Sequence, residues 1–424
     1  MKYYFFLLLL TFIACDNYAV LVAGSNSWMN YGHHSDVYHA YHLLVDRGMN
    51  PQNIIVFDYG VIADNPENPF PGQVFNSPDG KDVYAGVVID YWENDVTPEN
   101  FIAVLTGDAD AVTKEDERTT GKVLTSTDSD HVFVYFAGHG ANGLIAFPDK
   151  YLFADELIST LQTMNDKKMY KELVFYLDAY FGSTMFEGIL PDNINIYAAA
   201  SSLTYYQYCE PTINGTLIQV CLGTEFSCSF MEDIDIKTDD DLKRYTFQNQ
   251  YEYLVKVAIY SAVLQYGDLN VAQKSIYSFV SGQTQKFLKV ISKVFGLIFP
   301  PIEMRNIEKK TSRINNEKYR LEWFRLQAKQ NNDYKSKKEY YEENSQEKRT
   351  IKIFELFNRM LELPERNYED KIDFDCYRSV VKSYEEKCGM VIDRDFKYMN
   401  HIANFCTQRI DPQKAHLAFE NICR

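Results

Sequence analysis

The sequence predicts an α/β protein whose mainly parallel sheet is flanked by helices and followed by a small, disulfide-stapled all-α C-terminal domain. Three observations point there. Between Asn17 and about Asp235, short β-rich runs alternate with helical stretches, the order expected of parallel strands joined by crossover helices. Two of the runs, 131–136 and 173–177, are almost wholly apolar, as central strands covered on both faces are. Four of the eight cysteines crowd into the last 49 residues.

Taken in order, residues 1–15 read as a secretory signal peptide. Lys2 precedes an apolar run from Tyr3 to Ala14, about a dozen residues where a spanning helix needs about 20. A lipoprotein signal ending at Cys15 is the rival, and Phe12 fits it poorly. No other stretch is long and apolar enough to span a bilayer, so the mature chain is expected outside the cytosol.

Tyr18 to Ala23 is the first expected strand. His34 to Val45 follows as a helix, with Val37, Tyr41 and Leu44 on one face and Gly48 as its stop. Asn53 to Phe57 is a second strand, and residues 64 to 82, rich in Pro, Gly, Asn and Asp, form a long surface loop of the kind that borders a site. The apolar run at 131–136 leads into Gly138-His139-Gly140, and that at 173–177 into Asp178-Ala179-Tyr180-Phe181-Gly182-Ser183. Ligands and catalytic groups sit at the carboxyl ends of strands in open parallel sheets, so these two segments should lie side by side. Ile194 to Ala199 supplies another strand, and Tyr251 to Tyr266 the last helix of the first domain.

Residues 301–350 hold 13 Lys or Arg against 9 Asp or Glu, so this stretch carries +4 while the remainder carries −20. A basic linker can dock on an acidic body, and a solvated linker explains the charges equally well. Ile353, Leu356, Phe357 and Met360 restore a helical period before Pro364 breaks it. The net charge of −16 argues against a nucleic-acid partner, whose polyanion most of the surface would repel. With 46% hydrophobic residues the chain has ample surface to bury a large core.

Cys376, Cys388, Cys406 and Cys423 read as two disulfides, and the residues alone leave three pairings open. Their spacings of 11, 17 and 16 residues are too wide for zinc knuckles. Cys209, Cys221 and Cys228 are odd in number, so at least one of the three pairs outside the group or keeps its thiol. Asn214-Gly215-Thr216 is a glycosylation sequon. A histidine between two glycines at the end of a buried strand is poorly explained by packing, because glycine lets a substrate approach the backbone; His139 is therefore the candidate general base.

Several segments together carry a resemblance: AGSNSWMNYGHHSD (23–36), ENPFPGQVFNSPDGKDVYAGV (67–87), DVTPENFIAVLTGDADAV (95–112), DHVFVYFAGHG (130–140), MYKELVFYLDA (169–179) and LPDNINIYAAA (190–200). The chain closely resembles the legumain family of asparaginyl endopeptidases, cysteine peptidases with a caspase-like fold. The resemblance implies a caspase-like peptidase domain at 16–285, a linker or activation segment at 286–320 and a helical prodomain at 321–424 that caps the groove. It also implies the disulfides Cys376–Cys406 and Cys388–Cys423, a lysosomal, vacuolar or extracellular destination, and no metal or cofactor.

Residue by residue, His139 matches the family's histidine, Gly140 its oxyanion-hole region and Asn30 the asparagine that steadies the histidine. The nucleophile is the exception, for Asp178, Ala179 and Tyr180 stand where the family has Glu-Ala-Cys. A phenol is a poor substitute: its pKa is ~10 against ~8.5 for a thiol, and its oxygen lies further from the backbone. The expected pocket has changed too. Beside His33, Gly32 replaces an arginine; Thr224 replaces an aspartate, Asp178 shortens a glutamate, and Tyr205 and Tyr206 replace small serines. Gly138 replaces an acidic residue. The implied protein is a catalytically silent homologue that binds a peptide or protein in the old groove, or an active peptidase relative or inhibitor. The rival is a working asparaginyl endopeptidase of lysosomal or vacuolar protein breakdown, using an unrecognised nucleophile; Ser183 and Thr184 are the nearest hydroxyls.

Overall fold

The computed structural model describes residues 16–282, 313–315, 334–364, 370–391 and 395–424. The expected signal peptide and most of the linker lie outside these residues.

The strands in chain order are β1 (Asn17–Ala23), β2 (Ile54–Asp58), β3 (Tyr91–Trp92) and β4 (His131–Ala137), then the small meander β5 (Gly140–Ala141), β6 (Leu144–Ala146) and β7 (Tyr151–Phe153). They continue as β8 (Glu172–Asp178), β9 (Ile196–Ala200), β10 (Tyr205–Cys209), β11 (Thr212–Ile213), β12 (Thr216–Leu217), β13 (Cys221–Thr224), β14 (Leu264–Gly267) and β15 (Arg313–Asn315). Seven of them form one sheet in the order β14-β9-β8-β4-β1-β2-β3, parallel throughout except for β14. β4 and β8 are buried along their whole length, which accounts for their unbroken apolar runs.

One face of the sheet carries α1 (Tyr31–Asp46), α4 (Glu225–Asp235) and α5 (Phe247–Val257); the other carries α2 (Pro98–Leu105) and α3 (Ala154–Asp166). α1 runs longer than its apolar spacing suggests, because its first turn is buried at the site. Gly48, at φ +93, ends the segment as expected of a residue free of a Cβ. The expected helix at 251–266 stops at Val257. Ala262 takes φ +48, and Leu264–Gly267 turns back as the antiparallel edge strand β14 on β9. Loop 64–82 is likewise not all surface: Asn68, Val74, Phe75 and Asn76 are buried and anchor it against α1.

The C-terminal unit comprises α6 (Tyr334–Leu361), α7 (Phe374–Cys388), α8 (Met399–Phe405) and α9 (Pro412–Ile422). Its core joins Phe354, Phe357, Tyr377, Phe405 and Phe419, with Phe357 and Phe419 stacked 4.5 Å apart. Disulfides tie Cys376 to Cys406 and Cys388 to Cys423. The unit docks on the body through Arg378, which donates to both oxygens of Asp155 at 2.9 and 3.0 Å, and through Tyr151, which donates to Glu385 at 2.6 Å.

Candidate active site

The carboxyl ends of β8, β4, β1 and β2 lie on consecutive strands, so the residues that follow them form one edge. Tyr180 follows β8 and His139 follows β4, as the sequence leads one to expect. Gly140 holds the two turns together: a Cβ built there would meet the Tyr180 carbonyl oxygen at 2.5 Å and the Ala179 side chain at 3.1 Å, so no larger residue fits without moving the turn. Phe181 then takes a left-handed conformation, φ 57, that reverses the chain. Ser183 and Thr184 are engaged in this turn. Ser183 Oγ lies 2.9 Å from Ser202 Oγ, while Thr184 Oγ1 donates to the Phe181 carbonyl at 2.6 Å and accepts from Gly143 N–H at 2.8 Å.

His139 is buried between two rings. His33 meets it edge-on at 5.0 Å, and Phe396 of the C-terminal unit stacks on it at 5.6 Å with the planes 7° apart. Asn30 donates to Ser27 Oγ at 2.9 Å and accepts from the Tyr206 hydroxyl at 3.3 Å. Tyr206, 1% exposed, also stacks on His33 and brings its hydroxyl within 3.5 Å of His33 Nε2. A ring therefore fills space that smaller residues would leave open. Tyr205 points elsewhere and packs on Tyr260.

Gly32, Thr224 and Asp178 do converge, in a buried polar cluster that includes residues the sequence did not flag. A Cβ on Gly32 would sit 3.2 Å from the Gly223 backbone, so α1 and β13 approach closely there and any side chain would need β13 to shift by a few tenths of an ångström. Asp178 Oδ2 accepts from Thr224 Oγ1 at 2.6 Å and Ser227 Oγ at 2.7 Å, and its Oδ1 accepts from Ser201 Oγ at 2.9 Å. Thr224 Oγ1 is also 2.7 Å from Asp36 Oδ2, while Asn76 donates to Asp36 Oδ1 at 2.7 Å. One hydroxyl proton cannot serve two carboxylates. Burial pushes the Asp36 carboxyl up to about 8, so this acid holds a proton, donates it to Thr224 Oγ1, and leaves Thr224 free to donate to Asp178. Burial raises Asp178 as well, with Thr224 and Ser227 opposing it.

His39 reaches this cluster through Asn76. His39 Nδ1 is 2.6 Å from Asn76 Oδ1 and its Nε2 is 2.8 Å from Asp235, and two acceptors require two ring protons. Its pKa is raised: desolvation, the largest influence, acts to lower it and is outweighed by the bonds to Asp235 and Asn76. Asp36, Asn76, Ser201 and Ser227 had no distinguishing sequence signal beyond their polarity.

Cys209 and Cys221 form a disulfide across β10 and β13; Cys228 is in none and lies buried, its sulfur 3.7 Å from Asp36 Oδ1. Asn214 stands on the exposed two-residue turn of the β11–β12 hairpin. The outer edge of β10 is paired antiparallel with β15 of the linker, Tyr205 opposite Asn315 and Gln207 opposite Arg313. Among the described residues no helix is long and apolar enough to cross a membrane.

Residues 17–285 match the model of the peptidase C13 family, and residues 358–423 that of the legumain prodomain. Legumain of Mus musculus is 33% identical over 426 residues, covering 96% of this chain and 92% of that protein. The vacuolar-processing enzyme of Citrus sinensis is 32% identical over 440 residues, covering 96% and 84%. Among solved structures, caspase-1 of Spodoptera frugiperda matches with a TM-score of 0.30 at 12% identity, over 60% of this chain and 88% of that one.

Proposed function

The chain belongs to the peptidase C13 (legumain) family, and from that premise we propose that it has given up the family's cysteine chemistry and acts by binding. The observation that carries this is Tyr180, which occupies the turn after β8 where the family places its nucleophile. Acyl transfer at an amide needs a polarizable anion on a short side chain, and a phenol offers neither. The pocket supports the same reading: Tyr206 fills part of it, and Gly32 and Thr224 remove a cation and an anion that would orient a carboxamide. Binding has a mode the fold already uses: β15 of the linker pairs along the outer edge of β10, and a peptide strand would take its place once the linker is displaced. The partner is a peptide or protein segment, an active relative or a protein inhibitor, met in the secretory pathway and its lysosomal or vacuolar branch. The C-terminal unit acts as a cap, its Phe396 lying over His139. Release of that cap depends on cleavage of the linker by an active relative.

The test is an asparaginyl-peptide assay on purified wild-type protein and its Tyr180→Cys variant. No turnover is expected from the wild type, since losing a nucleophile costs on the order of a million-fold. Wild-type turnover through a covalent acyl adduct at Tyr180 overturns the proposal. A silent variant assigns the second lesion to the filled pocket.

A further inference from the structure

On the same edge of the sheet, two strands away from Tyr180, stands a second constellation that the family resemblance does not account for. Ser25 lies just past the end of β1, His34 in the first turns of α1 and Asp58 at the end of β2. His34 Nδ1 is 2.8 Å from Asp58 Oδ2, and His34 Nε2 is 3.5 Å from Ser25 Oγ. Asp58 accepts further from the Tyr38 hydroxyl at 3.0 Å and from Gly60 N–H at 2.6 Å, both on Oδ1. With His34 Nδ1 donating to Asp58 alongside Tyr38 and Gly60, Nε2 presents a lone pair to Ser25. Burial, first, and the charge of Asp58 raise Tyr38 well above its usual range, which keeps that donor protonated.

The remaining contact fixes the direction of the hydroxyl. His33 Nδ1 is 3.1 Å from Ser25 Oγ, on a ring whose Nε2 faces the Tyr206 hydroxyl. When Ser25 donates to His34, His33 Nδ1 must donate to Ser25, and the protons run in one sense from His33 through Ser25 to His34 and Asp58. Ser25 also lines, with Asn26, His139, Phe147 and Asp149, a crevice of about 30 Å³ that Phe396 closes from the cap side. Ser25 is 3% exposed there, and His34 and Asp58 are fully buried.

We propose that Ser25, His34 and Asp58 form a serine-centred acyl-transfer site that takes short, uncharged acyl esters and is shielded by the cap. A nucleophile, a base and an orienting acid are recognised by geometry and not by chain order, and hydrogen bonds to the nucleophile are often loose without substrate. Ser25 Oγ adds to the acyl carbon as its proton passes to His34 Nε2, and Asp58 steadies the imidazolium. The carbon–oxygen bond to the leaving alcohol breaks as His34 returns that proton to it. Water then adds to the acyl-serine, giving its proton to His34, and the acid departs with Ser25 restored by that proton. The small crevice restricts the acyl group to a few carbons.

This site stands apart from the loss of cysteine chemistry: an asparaginyl peptide reads the one and a serine-directed reagent the other. The full-length chain and its Phe396→Ala variant, which opens the crevice, are treated with a small alkyl fluorophosphonate near neutral pH, and the adduct is located by peptide mass. Labelling is expected at Ser25, at least roughly tenfold faster in Phe396→Ala than in wild type. Adding Asp58→Asn, which keeps the side chain's size, should slow it by about a hundredfold or more, and His34→Gln similarly. Hydrolysis of an aryl acetate should fall in step, and Ser25→Ala should abolish both. A thermal melt confirms that each variant is folded; should His34→Gln unfold, Asp58→Asn decides. No adduct in Phe396→Ala, an adduct on another residue, or a rate indifferent to Asp58→Asn overturns the proposal and leaves His34 and Asp58 as a buried tie between α1 and β2.

Discussion

The body and the cap bury their interiors differently. At the carboxyl edge of its sheet the body encloses Asp36, Asp58 and Asp178, each at most 1% exposed and each held by several donors. The core of the cap is mainly aromatic and aliphatic, and its cohesion is supplemented by two disulfides. The difference follows from size. A seven-stranded sheet with helices on both faces buries enough apolar surface to carry costly polar groups at a site, whereas a small helical unit has little to spare and gains from cross-links.

The most forceful way to break this contrast is to remove one cross-link. Replacing Cys376 and Cys406 together by alanine opens a loop of sequence separation 30, and should destabilise the cap by about 3–4 kcal/mol. Circular dichroism and limited proteolysis should show the cap lost first while the body, whose own Cys209–Cys221 disulfide is untouched, keeps its melting transition. Loss of both together would make the two units one cooperative block.

Acidity probes the other side of the comparison. Asp36 is raised to about 8, so the folded state keeps a proton that the unfolded chain releases near pH 4, and stability falls as pH climbs between these values, by at most about 1.4 kcal/mol per unit. The raised His39 acts in the same sense, its contribution present below about pH 6.5 and lost as pH passes its folded value. Glu172, lowered to about 2 chiefly by its bond to His131, acts oppositely, its contribution fading as pH drops from about 4.5 toward 2. Urea melts should therefore show the body strongest in mild acid, and Asp36→Asn, which imitates the protonated acid, should flatten the decline above pH 5. An unchanged slope in that variant would mean the proton resides elsewhere.

The smallest effect belongs to the seam between the units. Arg378 and Asp155 are each about a third exposed, at 32% and 38%, so Arg378→Ala should weaken docking by only about 1 kcal/mol and less at high salt. Amide exchange at Tyr151 and Phe153 would register it.

The strands β1, β2, β4 and β8 were legible to within about a residue, because parallel strands buried on both faces must be apolar throughout and must stop where the chain meets a site. The edge strand β14 was not, since its alternation spans only four residues and merges with the preceding helical pattern. Within the site, His139, Tyr180 and Thr224 could be named from local motif and resemblance. Asp36, Asn76 and Asp58 could not, for each is an ordinary polar residue until the fold brings its partners from 20 or more positions away.

The sequence by itself determined the order of strands and helices, the two glycines around His139, and a tyrosine at position 180 after the second buried strand, all of which are matters of covalent identity and short-range pattern. The tertiary structure alone decided that Tyr206 stacks on His33, that one threonine hydroxyl bridges two carboxyl groups, and that Ser25, His34 and Asp58 meet. Hydrogen bonds and proton sharing depend on distances of about 3 Å between side chains that neighbouring strands supply, and no linear spacing encodes them.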